Sequence, residues 1–117
     1  AYNYLTREFI KLEKFDDAIY WINKGINTHP ESPYLYYNYA LALIKLNRTN
    51  DAILQFNKAL KIDPNNAEFL VDACDFYLSI KMNNECDIIR RKLRTNLDTG
   101  VYNYPLWVKR YVSKYLK

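Results

Sequence analysis

The tripeptide Asp17-Ala18-Ile19 returns as Asp51-Ala52-Ile53, and Pro30 returns as Pro64, both at an offset of 34 residues. A fixed period of this kind constrains the fold more than any other feature of the chain. Periods of about 20–50 residues belong to arrays in which one supersecondary unit is stacked on the next, because a single unit cannot bury its apolar face alone. With the period set at 34, further columns line up. Tyr2, Tyr36, Leu70 and Tyr104 share one, and Phe9, Leu43, Tyr77 and Tyr111 share another. Ala18, Ala52 and Cys86 form a column of small residues, Ile22 aligns with Phe56, and Gly25 aligns with Ala59.

Inside each period the apolar residues follow helical spacing. Tyr36, Tyr39, Ala40 and Leu43 fall at i, i+3, i+4, i+7, and Ala52, Phe56, Ala59 and Leu60 at i, i+4, i+7, i+8. The polar stretch Leu46-Asn47-Arg48-Thr49-Asn50 between them suits a tight helix–helix turn. Asp63-Pro64-Asn65-Asn66 stops the second helix, since Pro cannot continue one and restricts the residue before it. The pattern predicts helices near 2–12, 15–28, 33–46, 49–62, 67–80, 83–97 and 104–116. Only 2 Gly and 4 Pro among 117 residues argue against a sandwich or barrel, which needs many turn residues.

This pattern resembles the tetratricopeptide repeat. The resemblance implies an all-α, right-handed α-solenoid of about three helical hairpins plus a C-terminal capping helix. Residues 33–66 match well through Tyr36, Tyr39, Ala40, Leu43, Ala52, Phe56, Ala59 and Pro64. Residues 1–32 match as a unit truncated at its start, with Thr6 at a small position and Ile22 in place of Phe. Residues 67–100 are degenerate: Cys74 and Cys86 hold the two small positions, but Arg90 stands where Phe is expected and Asp98 where Pro is. Residues 101–117 read as the cap, with Tyr104, Trp107, Val108, Tyr111, Val112 and Tyr115 on its apolar stripe. We expect one domain over 1–117, and the missing initiator Met suggests a piece of a larger protein.

The resemblance also implies a function. Stacked hairpins leave a concave surface lined by the first helix of each unit, suited to a peptide segment or a partner helix. In the family this groove uses positions two, five, six, nine, twelve and thirteen of each unit. Carried over, the first unit supplies Asn3, Tyr4, Arg7, Ile10 and Lys11, and the second supplies Tyr34, Tyr37, Asn38, Leu41, Ile44 and Lys45. The third supplies Glu68, Val71, Asp72, Asp75, Leu78 and Ser79. Tyr34, Tyr37 and Leu41 lie on a different face from Tyr36 and Tyr39, as interface anchors or as packing against a neighbouring unit. Glu68, Asp72 and Asp75 form an acidic stripe that either favours a basic or apolar ligand or is a solvated face. Of the residues with which the family clamps the carboxylate tail of cytosolic chaperones, only Asn38 matches. We therefore expect a scaffold or adaptor that does not clamp an acidic chaperone tail.

Charge supplies the competing reading. Residues 1–89 carry a net charge of −3, and residues 90–117 carry +7. Arg90, Arg91, Lys92, Arg94, Lys109, Arg110, Lys114 and Lys117 could form a basic patch for nucleic acid or another anionic surface. A structural or oligomerisation role is the third reading. Nothing points to catalysis or to a cofactor. His29, the single histidine, falls in a loop before Pro30, and neither a phosphate-binding Gly-rich loop nor an H-E-x-x-H pair is present. Cys74 and Cys86 face each other across one hairpin and are expected to be free buried thiols, not a metal site. With neither a basic-then-apolar leader nor a run of ~20 apolar residues, we expect an intracellular, cytoplasmic or nuclear protein without membrane insertion.

Overall fold

The computed structural model describes residues 2–115, with side chains for 4–114. Among the described residues there are seven helices and no strand: α1 (Tyr2–Lys11), α2 (Phe15–Thr28), α3 (Pro33–Lys45), α4 (Thr49–Ile62), α5 (Ala67–Ser79), α6 (Asn83–Thr99) and α7 (Leu106–Tyr115). None is long and apolar enough to cross a membrane.

The hairpin turns repeat more faithfully than the side chains do. Glu13, Asn47 and Lys81, spaced by 34, all take left-handed φ values of 61°, 59° and 63°. The amide of the next residue closes back on the preceding helix each time: Lys14 N to Phe9 O at 2.9 Å, Arg48 N to Leu43 O at 2.9 Å, Met82 N to Tyr77 O at 2.8 Å. These bonds satisfy carbonyls that a helix end leaves orphaned, and the motif usually places Gly at the left-handed residue. Here Glu, Asn and Lys occupy it, which explains how three tight turns form with so few glycines.

Other helix ends follow local chemistry. Pro33 opens α3 at its first turn, where its missing N–H costs nothing. Asn66 caps α5 by accepting from Phe69 N at 3.1 Å. α6 runs to Thr99, two residues past the predicted end, because Asp98 replaces the helix-stopping Pro; Gly100, left-handed at φ 67°, stops it instead. α7 begins at Leu106, not 104, just after Pro105.

The chain divides into two compact units, Ala1–Pro64 and Asn65–Lys117. In the first, α1 packs on α2 and α3, α2 on α3, and α3 on α4. Thr6, Ala18, Ile22, Ala40, Ala52, Phe56 and Ala59 are fully buried there. The small columns keep the helix axes close. In the second unit α5 packs on α6, and α6 on α7, with Phe69, Ala73, Cys74, Cys86, Leu93 and Val108 fully buried. Cys74 and Cys86 are joined as a disulfide between α5 and α6, so the expectation of free thiols is corrected. The small columns bring the two side chains within bonding reach.

Candidate functional site

In the first unit, α1 and α3 lie side by side and carry the expected groove residues as two parallel lines. Tyr4, Arg7 and Lys11 fall at i, i+3, i+7 on α1, all exposed. Tyr34, Leu41 and Lys45 fall at i, i+7, i+11 on α3, half-buried to exposed. Ile10 and Ile44 are half-buried. The side chain of Asn3 lies outside the described residues.

Two groove expectations are corrected here. Tyr37 is only 3% exposed, its ring edge-on to Phe56 at 6.3 Å and to Tyr34 at 6.2 Å. Asn38 is fully buried and donates through Nδ2 to Thr6 Oγ1 at 3.2 Å. The cause is that α1, α2 and α4 all pack on α3, so its buried arc is wider than a single amphipathic stripe. The rings expected in the core, Tyr36 and Tyr39, are conversely half-buried. Tyr36 uses its hydroxyl to bond Pro30 O at 2.7 Å and takes Lys58 over its ring at 5.9 Å. The buried Tyr37 still serves the surface, since its edge fixes the ring of Tyr34.

In the second unit, Glu68 and Asp72 are half-buried on α5, Asp75 and Ser79 are exposed, Leu78 is half-buried and Val71 is buried. Val71 is thus removed from the expected lining, and Asp75 is already engaged by α7. Tyr111 Oη donates to Asp75 Oδ1 at 3.0 Å.

The basic patch is reduced in the same way. Arg91, Arg94, Lys109, Arg110 and Lys114 are exposed and Lys92 is half-buried, while Lys117 lies outside the described residues. Arg94 stands 3.6 Å from Asp98. Arg90 does not belong to the patch. It is 8% exposed, 3.8 Å from Asp87, and its guanidinium also bears on Tyr111. The Arg at the Phe position thus reaches inward between α6 and α7 and finds polar partners there. Leu93, fully buried at the column that holds Gly25 and Ala59, supplies apolar volume in compensation. Trp107, expected on the cap's inner stripe, is also corrected: it is exposed, while Val108 and Val112 make the buried contact.

Burial first, and then the Asp75 carboxylate, push the Tyr111 phenol up to about 12, against a smaller opposing pull from Arg90. Burial and then Glu85 also raise Tyr77 above its ordinary value. Since the folded-state value of Tyr111 lies above the unfolded value of 10.0, its contribution is present below 10.0 and lost as pH rises through about 12. Urea midpoints measured between pH 9 and 12 (roughly the span of the shift) are expected to fall less steeply for Tyr111→Phe than for the parent. An identical slope for both chains excludes the coupling.

A family model, the tetratricopeptide repeat, matches residues 33–66. That stretch is similar to one tetratricopeptide repeat. The flanking helices keep its left-handed turn at the same register, as Glu13, Asn47 and Lys81 testify. Solved structures with the tetratricopeptide-repeat fold agree. The complex described as the TPR2B domain with pHsp70, of yeast Sti1, matches with a TM-score of 0.74 at 21% identity, covering 96% of this chain and 92% of that one. Two MamA AMB-1 structures match with TM-scores of 0.66 and 0.69 at 22% identity, covering 78% and 87% of this chain. The chain spans about half the length of those MamA chains, 54% and 55%. Among curated proteins no sequence match was found. The fold is all-helical and of the tetratricopeptide-repeat class.

Proposed function

We propose that this chain holds a short segment or helix of a partner protein on the outward side of α1 and α3, and that it catalyses no reaction. The observation that carries this reading is the double line of Tyr4, Arg7 and Lys11 beside Tyr34, Leu41 and Lys45. It offers amphipathic rings and an aliphatic anchor on neighbouring helices, with one ring held in place from below by Tyr37. Rigid Tyr side chains give large contact area at low entropic cost, which is why they recur at interfaces. The likeness to the TPR2B domain of yeast Sti1, solved as a complex with pHsp70, adds support for a peptide-type ligand.

Tyr4, Tyr34 and Leu41 favour a ligand that brings apolar anchors of its own. The one match to the chaperone-tail clamp, Asn38, is spent on Thr6 inside the unit. A carboxylate tail therefore meets no clamp.

A fluorescence-anisotropy series with peptides graded in charge and apolar content tests this. The tightest binders are expected to carry large apolar side chains such as Leu, and Tyr34→Ala or Leu41→Glu to weaken them by about tenfold or more, the scale of an interface anchor. Micromolar binding of a peptide with an acidic C-terminal tail, or no response to either variant, overturns the reading.

A further inference from the structure

The segment leading into α7 presents to water several side chains of the kind usually kept inside. Val101 is 73% exposed, Leu106 60% and Trp107 44%. The segment is nevertheless anchored. Asn65 Nδ2 donates to Tyr102 Oη at 2.7 Å, Tyr104 Oη donates to Asn65 O at 2.7 Å, and Asn96 Nδ2 donates to Tyr104 Oη at 3.0 Å. The rings of Tyr102 and Tyr104 stack at 5.7 Å. On α7 itself, Val108 and Val112 face inward, and the opposite arc carries Leu106, Arg110 and Ser113, flanked by Trp107, Lys109 and Lys114. From residue 99 to 117 the sequence holds no Asp or Glu.

We propose that this face docks onto the surface of an anionic phospholipid bilayer, with Val101, Leu106 and Trp107 entering at headgroup level and Lys109, Arg110 and Lys114 over the lipid phosphates. The combination selects the occupant. Aliphatic side chains and Trp gain from the acyl boundary, and cations gain from the negative leaflet. A nucleic-acid strand rewards cations and stacking rings but offers nothing to Val101 or Leu106. A second copy of the same face would set cation against cation. The surface lies in the second unit and uses neither α1 nor α3, so this proposal and the peptide-binding reading stand or fall separately.

Co-sedimentation of the whole chain with vesicles of phosphatidylcholine alone, and of phosphatidylcholine mixed with phosphatidylserine, tests it. Binding is expected to the phosphatidylserine vesicles only, with Trp fluorescence shifting to the blue. Lys109→Glu with Arg110→Glu, and separately Val101→Ser with Leu106→Ser, are each expected to weaken it by about tenfold, as the loss of surface charge or of inserted apolar area implies. All four positions are exposed, so circular dichroism of the variants should match the parent. The proposal is overturned by no binding to phosphatidylserine vesicles. It is equally overturned if the Ser pair binds them as well as the parent does. Binding of single-stranded RNA or of an acidic peptide by this face, with the vesicles left unbound, also overturns it and names the alternative.

Discussion

Phe56→Ala is expected to lower the stability of the first unit by about 3–5 kcal/mol, the range for deleting a fully buried aromatic ring. Phe56 is 0% exposed, and its ring is the one against which Tyr37 rests. Its removal leaves a cavity that its surroundings refill only in part. Set against a total of about 5–15 kcal/mol for a domain, a loss of this size takes much of the folded population with it. Urea unfolding followed by circular dichroism measures the effect. Phe56→Leu, which keeps most of the volume, is expected to lose only about 1–1.5 kcal/mol, the scale of a near volume-conserving swap. The surface should respond too, because Tyr34 loses the support that passes from Phe56 through Tyr37. If Phe56→Ala unfolds at the parent's urea concentration, the packing described for α3 and α4 is wrong.

The second large effect concerns the disulfide between α5 and α6. Bridging Cys74 and Cys86 closes a loop of sequence separation 12. Chain-entropy arguments put the stabilisation from such a loop at about 3 kcal/mol, by narrowing the unfolded ensemble. Replacing both residues by Ala, which suits the small columns, is expected to cost about that much in the second unit. Reductant should lower the urea midpoint of the parent and leave the Ala variant unmoved. Both cysteines are fully buried, so reduction must wait for local opening and should be slow under native conditions. Thiol titration of the denatured, unreduced protein gives an independent reading: free thiols in quantity would refute the bond.

Much of this architecture was legible from periodicity. The 34-residue spacing located seven helices, most ends within a residue, because apolar columns and Pro positions are local signals. The misplaced features share a different cause. The sequence from Tyr34 to Tyr39 puts rings on several faces, and which ring is buried depends on how many helices surround α3. Tyr37 is buried in a helix on which three others pack, a fact no single-helix pattern contains. Arg90 departs from the repeat in sequence, yet its burial rests on Tyr111, 21 positions further along, and on Asp87. Cys74 and Cys86 were expected face to face across one hairpin, but the residue pattern carries no sign of whether two such thiols are joined. The turns were placed correctly, but Glu13 and Lys81 give no hint of a left-handed backbone, since those residue types seldom adopt it.

The hydrogen bonds that meet at Asn65 also have a practical consequence for building with this chain. Residues 100–105 have the outward look of a linker, short and free of helix, and invite an insertion. Yet this stretch and the first residues of the second unit are buttoned together at Asn65, 37 to 39 positions apart. A tag or guest module spliced between Gly100 and Pro105 would undo that button and set α7 adrift from its own unit. The exposed Asn47 turn is the better splice point, since a guest there gives up the turn bond from Arg48 N to Leu43 O but leaves α3 packed on α4.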